Sequence, residues 1–238
     1  MKKILAIVVA LMMLVSMTAF AETAAPKVGI LAPATTHAWV SAVAYHAQLT
    51  ADELFGEGNY VMVTGANPDE MSSHIETMIQ QGAETLVLWT QFDGIENATE
   101  MALEQGIKVV NFDMIVNVDE QYAEDIYVLT GDNYGMGVEG AKYIVDKIGT
   151  EGTVLIMDAP THGTVAATRL QGFMDTMAEI APDMTFVEIA TEFNREKGLV
   201  DMTAALTANA QIDAVFSMDD ETSIGALQAI VEAGRTDV

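Results

Sequence analysis

The chain contains no cysteine. That excludes a disulfide, a thiol nucleophile and a lipid-modified cysteine at a processing point. Basic residues are scarce, with 10 lysines and arginines against 35 aspartates and glutamates, a formal charge of −25. So acidic a surface repels nucleic acid and anionic membrane, and neither is an expected partner. The acids are dispersed through helices and loops, which reads as a solvated surface. Catalytic signatures are missing too: there is no GxSxG, no HExxH and no P-loop. An enzyme would need such a nucleophile or metal constellation, so neither an enzymatic activity nor a cofactor is expected. Long hydrophobic runs are also absent. The most apolar stretch, Ile4–Val15, is too short to span a bilayer comfortably, and no stop-transfer charge follows it.

That stretch fits the middle of a secretory signal peptide instead. Lys2-Lys3 form its basic head and Ala19-Phe20-Ala21 its small-residue cleavage signal. The expectation is a signal peptide over residues 1–21 and a mature periplasmic protein that begins at Glu22 and carries no anchor. Cleavage removes two lysines and no acid, so the mature chain is more acidic still.

The rest of the chain is organised around Lys27–Tyr45, KVGILAPATTHAWVSAVAY. Val28–Leu31 is a short apolar run with β-branched residues. Pro33 and the polar pair Thr35-Thr36 break it. Trp39, Val40, Val43, Ala44, Ala47, Ala51 and Leu54 then fall at helical spacing on one face. In open α/β sheets the crevice between such a strand and helix is where ligands sit. A His and a Trp, His37 and Trp39, stand at this one, where a fold-only reading expects Ser, Asn or Gly. The reading is a cleft for a small molecule.

Strand and helix patterns keep alternating. Strands are read at Tyr60–Thr64, Thr85–Leu88, Lys108–Phe112 and Ile126–Thr130, then at Thr153–Met157, Thr185–Ile189 and Ala214–Ser217. Helices are read between them. Asn67-Pro68-Asp69-Glu70 opens one with a cap, a first-turn proline and a capping-box glutamate. This rhythm predicts an α/β fold of parallel sheets covered on both faces. Near Gly131 the count reaches five strands, enough for one sheet, so a boundary is expected there. It divides an N-terminal lobe, residues 22–131, from a C-terminal lobe, residues 132–238. No linker rich in Pro, Gly or Ser marks the boundary.

Three features could carry other chemistry. Gly135 to Gly140 is formally GxGxxG, and Asp158 ends the next strand 18 residues later, as in a nucleotide-dependent enzyme. But four residues separate the preceding strand from the first glycine, whereas a phosphate turn wants it at the strand end. The preferred reading is small residues that let a helix pack closely on a sheet. Asp219-Asp220-Glu221 could hold a hard cation, yet no EF-hand spacing surrounds it. One Asp is expected to cap the next helix, with Glu221 in its first turn and the other Asp free to face the cleft. His37 and His162 sit at strand-to-helix loops and are candidates for ligand contact; His46 and His74 lie within helices.

The order and spacing of these segments resemble the periplasmic sugar-binding proteins of ABC importers, of the ribose-binding type, a type I periplasmic binding protein family. The resemblance runs from Lys27 to Val238. KVGILAPATTHAWVSAV resembles the first strand and ligand loop, which contains Thr36. VVNFD resembles the strand that ends in the cleft aspartate, Asp113. LTGDNYGMGVEGAKYI resembles the first interlobe crossing, and GTVAATRLQGF, EFNREKGL and AVFSMDDETSIGAL resemble second-lobe segments. It implies two similar doubly wound lobes joined by a hinge, with a carbohydrate or polyol held between them and delivered to an ABC permease. It also implies a monomer. Trp39 is carried over as an aromatic wall, Asp113 as a hydroxyl acceptor, Phe193 as the facing aromatic and Asp219 as a second polar contact.

The departures shape the expectation. Met114 stands where ribose binders have an arginine after the cleft aspartate, and Ala167 where a second ligand arginine falls. Arg169 lies about 200° round the helix from Ala167 and is expected to serve folding rather than binding. Trp89 replaces a smaller polar residue. The ligand set expected is therefore Thr36, His37, Trp39, Trp89, Asp113, Phe193 and Asp219, for a sugar or polyol other than ribose. The family also continues beyond Val238, so the chain reads as C-terminally truncated, with unpaired sheet edges. Two other functions share this pattern. A sensory sugar-binding protein is not distinguishable by sequence. A sugar-responsive repressor needs a helix-turn-helix where this chain has its leader.

Overall fold

The computed structural model describes residues 27–34 and 37–238. The expected signal peptide and Thr36 lie outside the described residues. Eight strands form two parallel sheets. The first has the order β2-β1-β3-β4-β5, from β1 (Val28–Pro33), β2 (Tyr60–Gly65), β3 (Thr85–Thr90), β4 (Lys108–Asp113) and β5 (Ile126–Leu129). The second has the order β7-β6-β8, from β6 (Thr153–Asp158), β7 (Thr185–Ala190) and β8 (Ala214–Ser217). The helices are α1 (Ala38–Phe55), α2 (Pro68–Gln80), α3 (Glu96–Glu104), α4 (Asn133–Ile148), α5 (Gly163–Ile180), α6 (Arg195–Ala208) and α7 (Asp220–Glu232). None of the described helices is long and apolar enough to cross a membrane.

Period-two alternation along the strands explains why both faces of each sheet are covered. Leu31, Leu86, Leu88 and Val109 pack under α2 and α3, with Met71, Ile75, Met78 and Leu103. On the other face Ala32 and Trp89 meet Val40 and Ala44 of α1, with Met62 and Phe112 alongside. In the second sheet Val154 and Ile156 face α4 and α5, while Leu155 and Met157 face α6 and α7. In both sheets the first strand sits between the next two, so the chain reverses direction across the sheet at β1 and at β6. Crevices at such reversals open at the carboxyl ends of the strands, and the loops after β1, β3, β4, β6, β7 and β8 are found there.

Side-chain caps open most of the helices, Asn67 and one of the two aspartates at 219–220 among them as expected. Asn67 accepts from the Glu70 amide, Asp132 from Gly135, Asn194 from Lys197 and Asp219 from Thr222. Two expectations need correction. Leu54, placed on the buried face of α1, is 69% exposed, because the last turn of the helix opens onto a groove beside Lys27 and Phe55. The glycines of the 135–140 run serve helix against helix as much as helix against sheet. A Cβ on Gly137 would stand 2.1 Å from the Arg169 carbonyl oxygen of α5, while one on Gly140 would meet the Phe216 ring of β8.

Two sheet edges carry apolar side chains in solvent: Tyr127 and Leu129 on β5, and Leu227 of α7 beside β8. Unpaired parallel edges of this kind template association. Leu129→Lys and Leu227→Lys are each expected to raise the concentration at which this chain stays monomeric in sedimentation velocity. Unchanged sedimentation in both variants would show that neither edge drives association.

Candidate ligand cleft

The carboxyl ends of the two sheets face each other across a cleft of about 360 Å³. It is lined by His37, Trp39, Gln91, Asp113, Met136, Val165, Arg169, Phe193, Met218, Asp219 and Asp220. The first sheet's side supplies His37, Trp39, Gln91 and Asp113, and the second supplies Val165, Arg169, Phe193 and Asp219. Five of the seven residues expected from sequence therefore meet in one place.

Asp113 ends β4 with φ of +71°, the only left-handed non-glycine residue among those described. Asp and Asn are the side chains that tolerate this conformation. Buried Asn111 holds the turn: its amide donates to the Met114 carbonyl at 2.9 Å and its oxygen accepts from the Val116 amide at 2.8 Å. The carboxylate so aimed accepts from the Trp89 indole N–H at 3.3 Å. Burial raises its pKa above the ordinary value, opposed by the Trp89 hydrogen bond and by Arg169 across the cleft.

Trp39 is 44% exposed, with one face open to the cleft. Trp89 supports it edge-on at 5.5 Å between ring centroids, and Phe112 stacks beneath it at 6.3 Å. Trp89 itself is 3% exposed and does not line the cleft. The expected ligand contact is thus corrected to a buttress. At the carboxyl end of β3 its side chain falls on the α1 face of the sheet, where it fills the core under Trp39 and orients Asp113.

Arg169 is the larger correction. Val165 and Arg169, one turn apart on α5, share the face that lines the cleft, while Ala167 is exposed. The guanidinium donates to the Asn133 side-chain oxygen at 2.9 Å and to the Met218 carbonyl at 2.6 Å. It also lies over the Phe193 ring, 5.8 Å from the centroid. It binds the start of α4, the end of β8 and the aromatic wall together. Burial lowers its pKa, and Asp113, Asp219 and Asp220 oppose that. The i, i+4 pairing of Val165 with Arg169 was available in the sequence; the register of the helix against the cleft was not.

Asp219 does two tasks that had been divided between neighbours. Its Oδ1 caps α7 and its Oδ2 lies 2.9 Å from His37 Nε2, so Asp219, not its neighbour alone, faces the cleft. Glu221 pairs with Arg195 rather than with a cation. His162 stacks on Phe193 with centroids 4.0 Å apart. Burial lowers its pKa below the ordinary 6.5. The unfolded chain therefore takes up that proton first as pH falls, and this contribution to stability is lost on acidification below 6.5. In urea melts taken above and below that pH, His162→Gln is expected to flatten the decline. A wild-type slope in the variant would place the pH sensitivity elsewhere.

A family model described as a periplasmic binding protein domain matches residues 28–238. The ribose import binding protein RbsB of Escherichia coli strain K12 is 30% identical over 193 residues, covering 81% of this chain. The chain spans 63% of that relative's length. Two solved structures share the fold. A solute-binding protein of an ABC transporter from Mycobacterium smegmatis, with bound glycerol, has a TM-score of 0.79 at 24% identity; the match covers 90% of this chain and 73% of that one. The binding component of the arabinose transporter of Shewanella sp. ANA-3, bound to L-arabinofuranose, has a TM-score of 0.78 at 23% identity, covering 87% and 69%.

Proposed function

Because the chain belongs to the periplasmic binding protein domain family, we propose that it captures a neutral sugar or polyol in this cleft and delivers it to an ABC permease. In this reading residues 1–21 are a cleaved export signal, the lobes divide at Gly131, and the protein works as a periplasmic monomer. Rotation of the lobes about that crossing closes the cleft.

One observation carries the reading: Trp39 and Phe193 share a cleft with the opposed charges of Asp113 and Arg169. A sugar ring has apolar faces that rest on aromatics and hydroxyl rims that donate to carboxylates and accept from guanidinium. Asp113 gains most from such a ligand, since hydroxyl donors replace the hydration that burial removed. Three carboxylates, Asp113, Asp219 and Asp220, meet one guanidinium here. That balance disfavours uronates and sugar phosphates. The relatives named for ribose import, and the neighbours holding glycerol and an arabinofuranose, agree with a small neutral polyhydroxyl ligand. Met114 is buried with its backbone carbonyl held by Asn111, so it adds no donor where ribose binders have an arginine.

A thermal-shift screen of neutral pentoses, hexoses and polyols is the first test, followed by calorimetry on the best ligand. Trp39→Ala is expected to weaken its binding by about 2 kcal/mol, the scale of a central aromatic anchor. Undiminished affinity in Trp39→Ala would remove the aromatic wall from the account.

A further inference from the structure

The bond between His37 and Asp219 crosses the cleft, from the start of α1 on the first sheet to the start of α7 on the second. Nε2 and Oδ2 are 2.9 Å apart, and the two side chains are only 13% and 10% exposed. Each residue is also the cap of its own helix. His37 Nδ1 accepts from the Trp39 amide at 3.2 Å, and Asp219 Oδ1 accepts from the Thr222 amide at 2.9 Å. These caps fix the chemistry of the bond. An Nδ1 that accepts carries no proton, so the ring's proton is on Nε2 and is donated to the Asp219 carboxylate.

We propose that His37 and Asp219 form a latch that holds the two lobes together across the cleft, independently of any ligand. The latch is a charge-assisted hydrogen bond between two side chains already immobilised by capping, so little rotamer freedom is lost when it forms. Asp219 Oδ1 accepts from the Thr222 amide and hydroxyl, and Oδ2 accepts from His37. The latch rests on the two-lobe reading of the cleft but not on the identity of the sugar.

The absence of cysteine makes a direct test possible. Glu76→Cys on α2 and Glu179→Cys on α5, both exposed, take a spin-label pair that reports the separation of the lobes with no sugar added. The labelled protein is expected to show a dominant short distance. His37→Asn keeps an oxygen to cap α1 but is too short to reach Asp219. Asp219→Asn keeps the cap on α7 and removes the charge. Each is expected to shift the ratio of short to long distances about tenfold toward the long, the worth of one charge-assisted hydrogen bond. The double variant should move no further than the single ones, because both remove the same bond. Far-ultraviolet circular dichroism on the same samples checks that each variant is folded. Distances unchanged in both single variants, or additive shifts in the double, would overturn the latch. A sugar that fails to bind would leave these distances as they are, so the two readings fail separately.

Discussion

Asp113→Asn is expected to lower sugar affinity by about 2 kcal/mol, roughly thirtyfold, while leaving the fold at least as stable as before. Asparagine keeps the size of the side chain and tolerates the left-handed backbone at φ +71°, so the strand end is preserved. What disappears is the charge. Burial is the main reason that the folded state disfavours the ionised carboxylate, raising its pKa above 3.8. The sign follows. A raised carboxyl pKa favours the folded state where the group is protonated, and that advantage is lost as pH rises above 3.8 through the folded value. At neutral pH the folded chain bears the penalty of a buried charge. A neutral amide removes the penalty and replaces the charged hydroxyl acceptor with a weaker neutral one. Calorimetric titration and thermal melts on the same variant check both halves. A lowered melting temperature with unchanged affinity would mean that the charge serves the fold through Arg169 rather than the ligand.

Gly137→Val is expected to destabilise the chain by about 3 kcal/mol or more. A Cβ at this position would stand 2.1 Å from the Arg169 carbonyl oxygen and 2.6 Å from the Phe173 amide nitrogen. Both are backbone atoms of a helix interior and cannot swing aside. Helices α4 and α5 must separate, or α4 must shift along its axis. Valine adds a second penalty through its restricted side-chain rotation in a helix. Because Arg169 lies on the facing turn, the separation also moves a cleft residue, so sugar binding should weaken with stability. Urea denaturation measures the first effect. A cost below 1 kcal/mol would show that the two helices slide past each other freely.

Much of this architecture was legible because the signals were local. The strands were delimited by β-branched runs with turn residues at their ends, and Asn67 and the Asp219-Asp220 pair announced helix starts by their side-chain chemistry. His37, Trp39 and Asp113 were legible for a related reason: each stands at the carboxyl end of a strand, where the fold puts ligands. The misreadings arose where three-dimensional register decides. Trp89 also ends a strand, but it points to the α1 face and packs under Trp39. Arg169 was judged by its angle from Ala167, when the face that matters is set by the packing of α5 on α4 at Gly137 and Gly172. Asp219 was given one task because two acids stood side by side. Its bond to His37 spans 182 residues of sequence, and no local pattern encodes it. Asn111 gave no signal at all; its importance lies in backbone partners on neighbouring β3 and in the turn after β4.

In the proposed function a neutral sugar lies in the cleft against Trp39 with its hydroxyls on Asp113. The chain holds only two tryptophans, Trp39 and Trp89. One lines the cleft, and the other lies 5.5 Å behind it with its indole N–H on Asp113. Intrinsic tryptophan emission therefore reports on this site. Titration with the best neutral sugar should give a saturable change in emission whose midpoint matches the calorimetric affinity, and Asp113→Asn should move that midpoint roughly thirtyfold higher. Saturable calorimetric binding that leaves the emission unmoved, with Asp113→Asn binding as tightly as the native chain, would contradict the account.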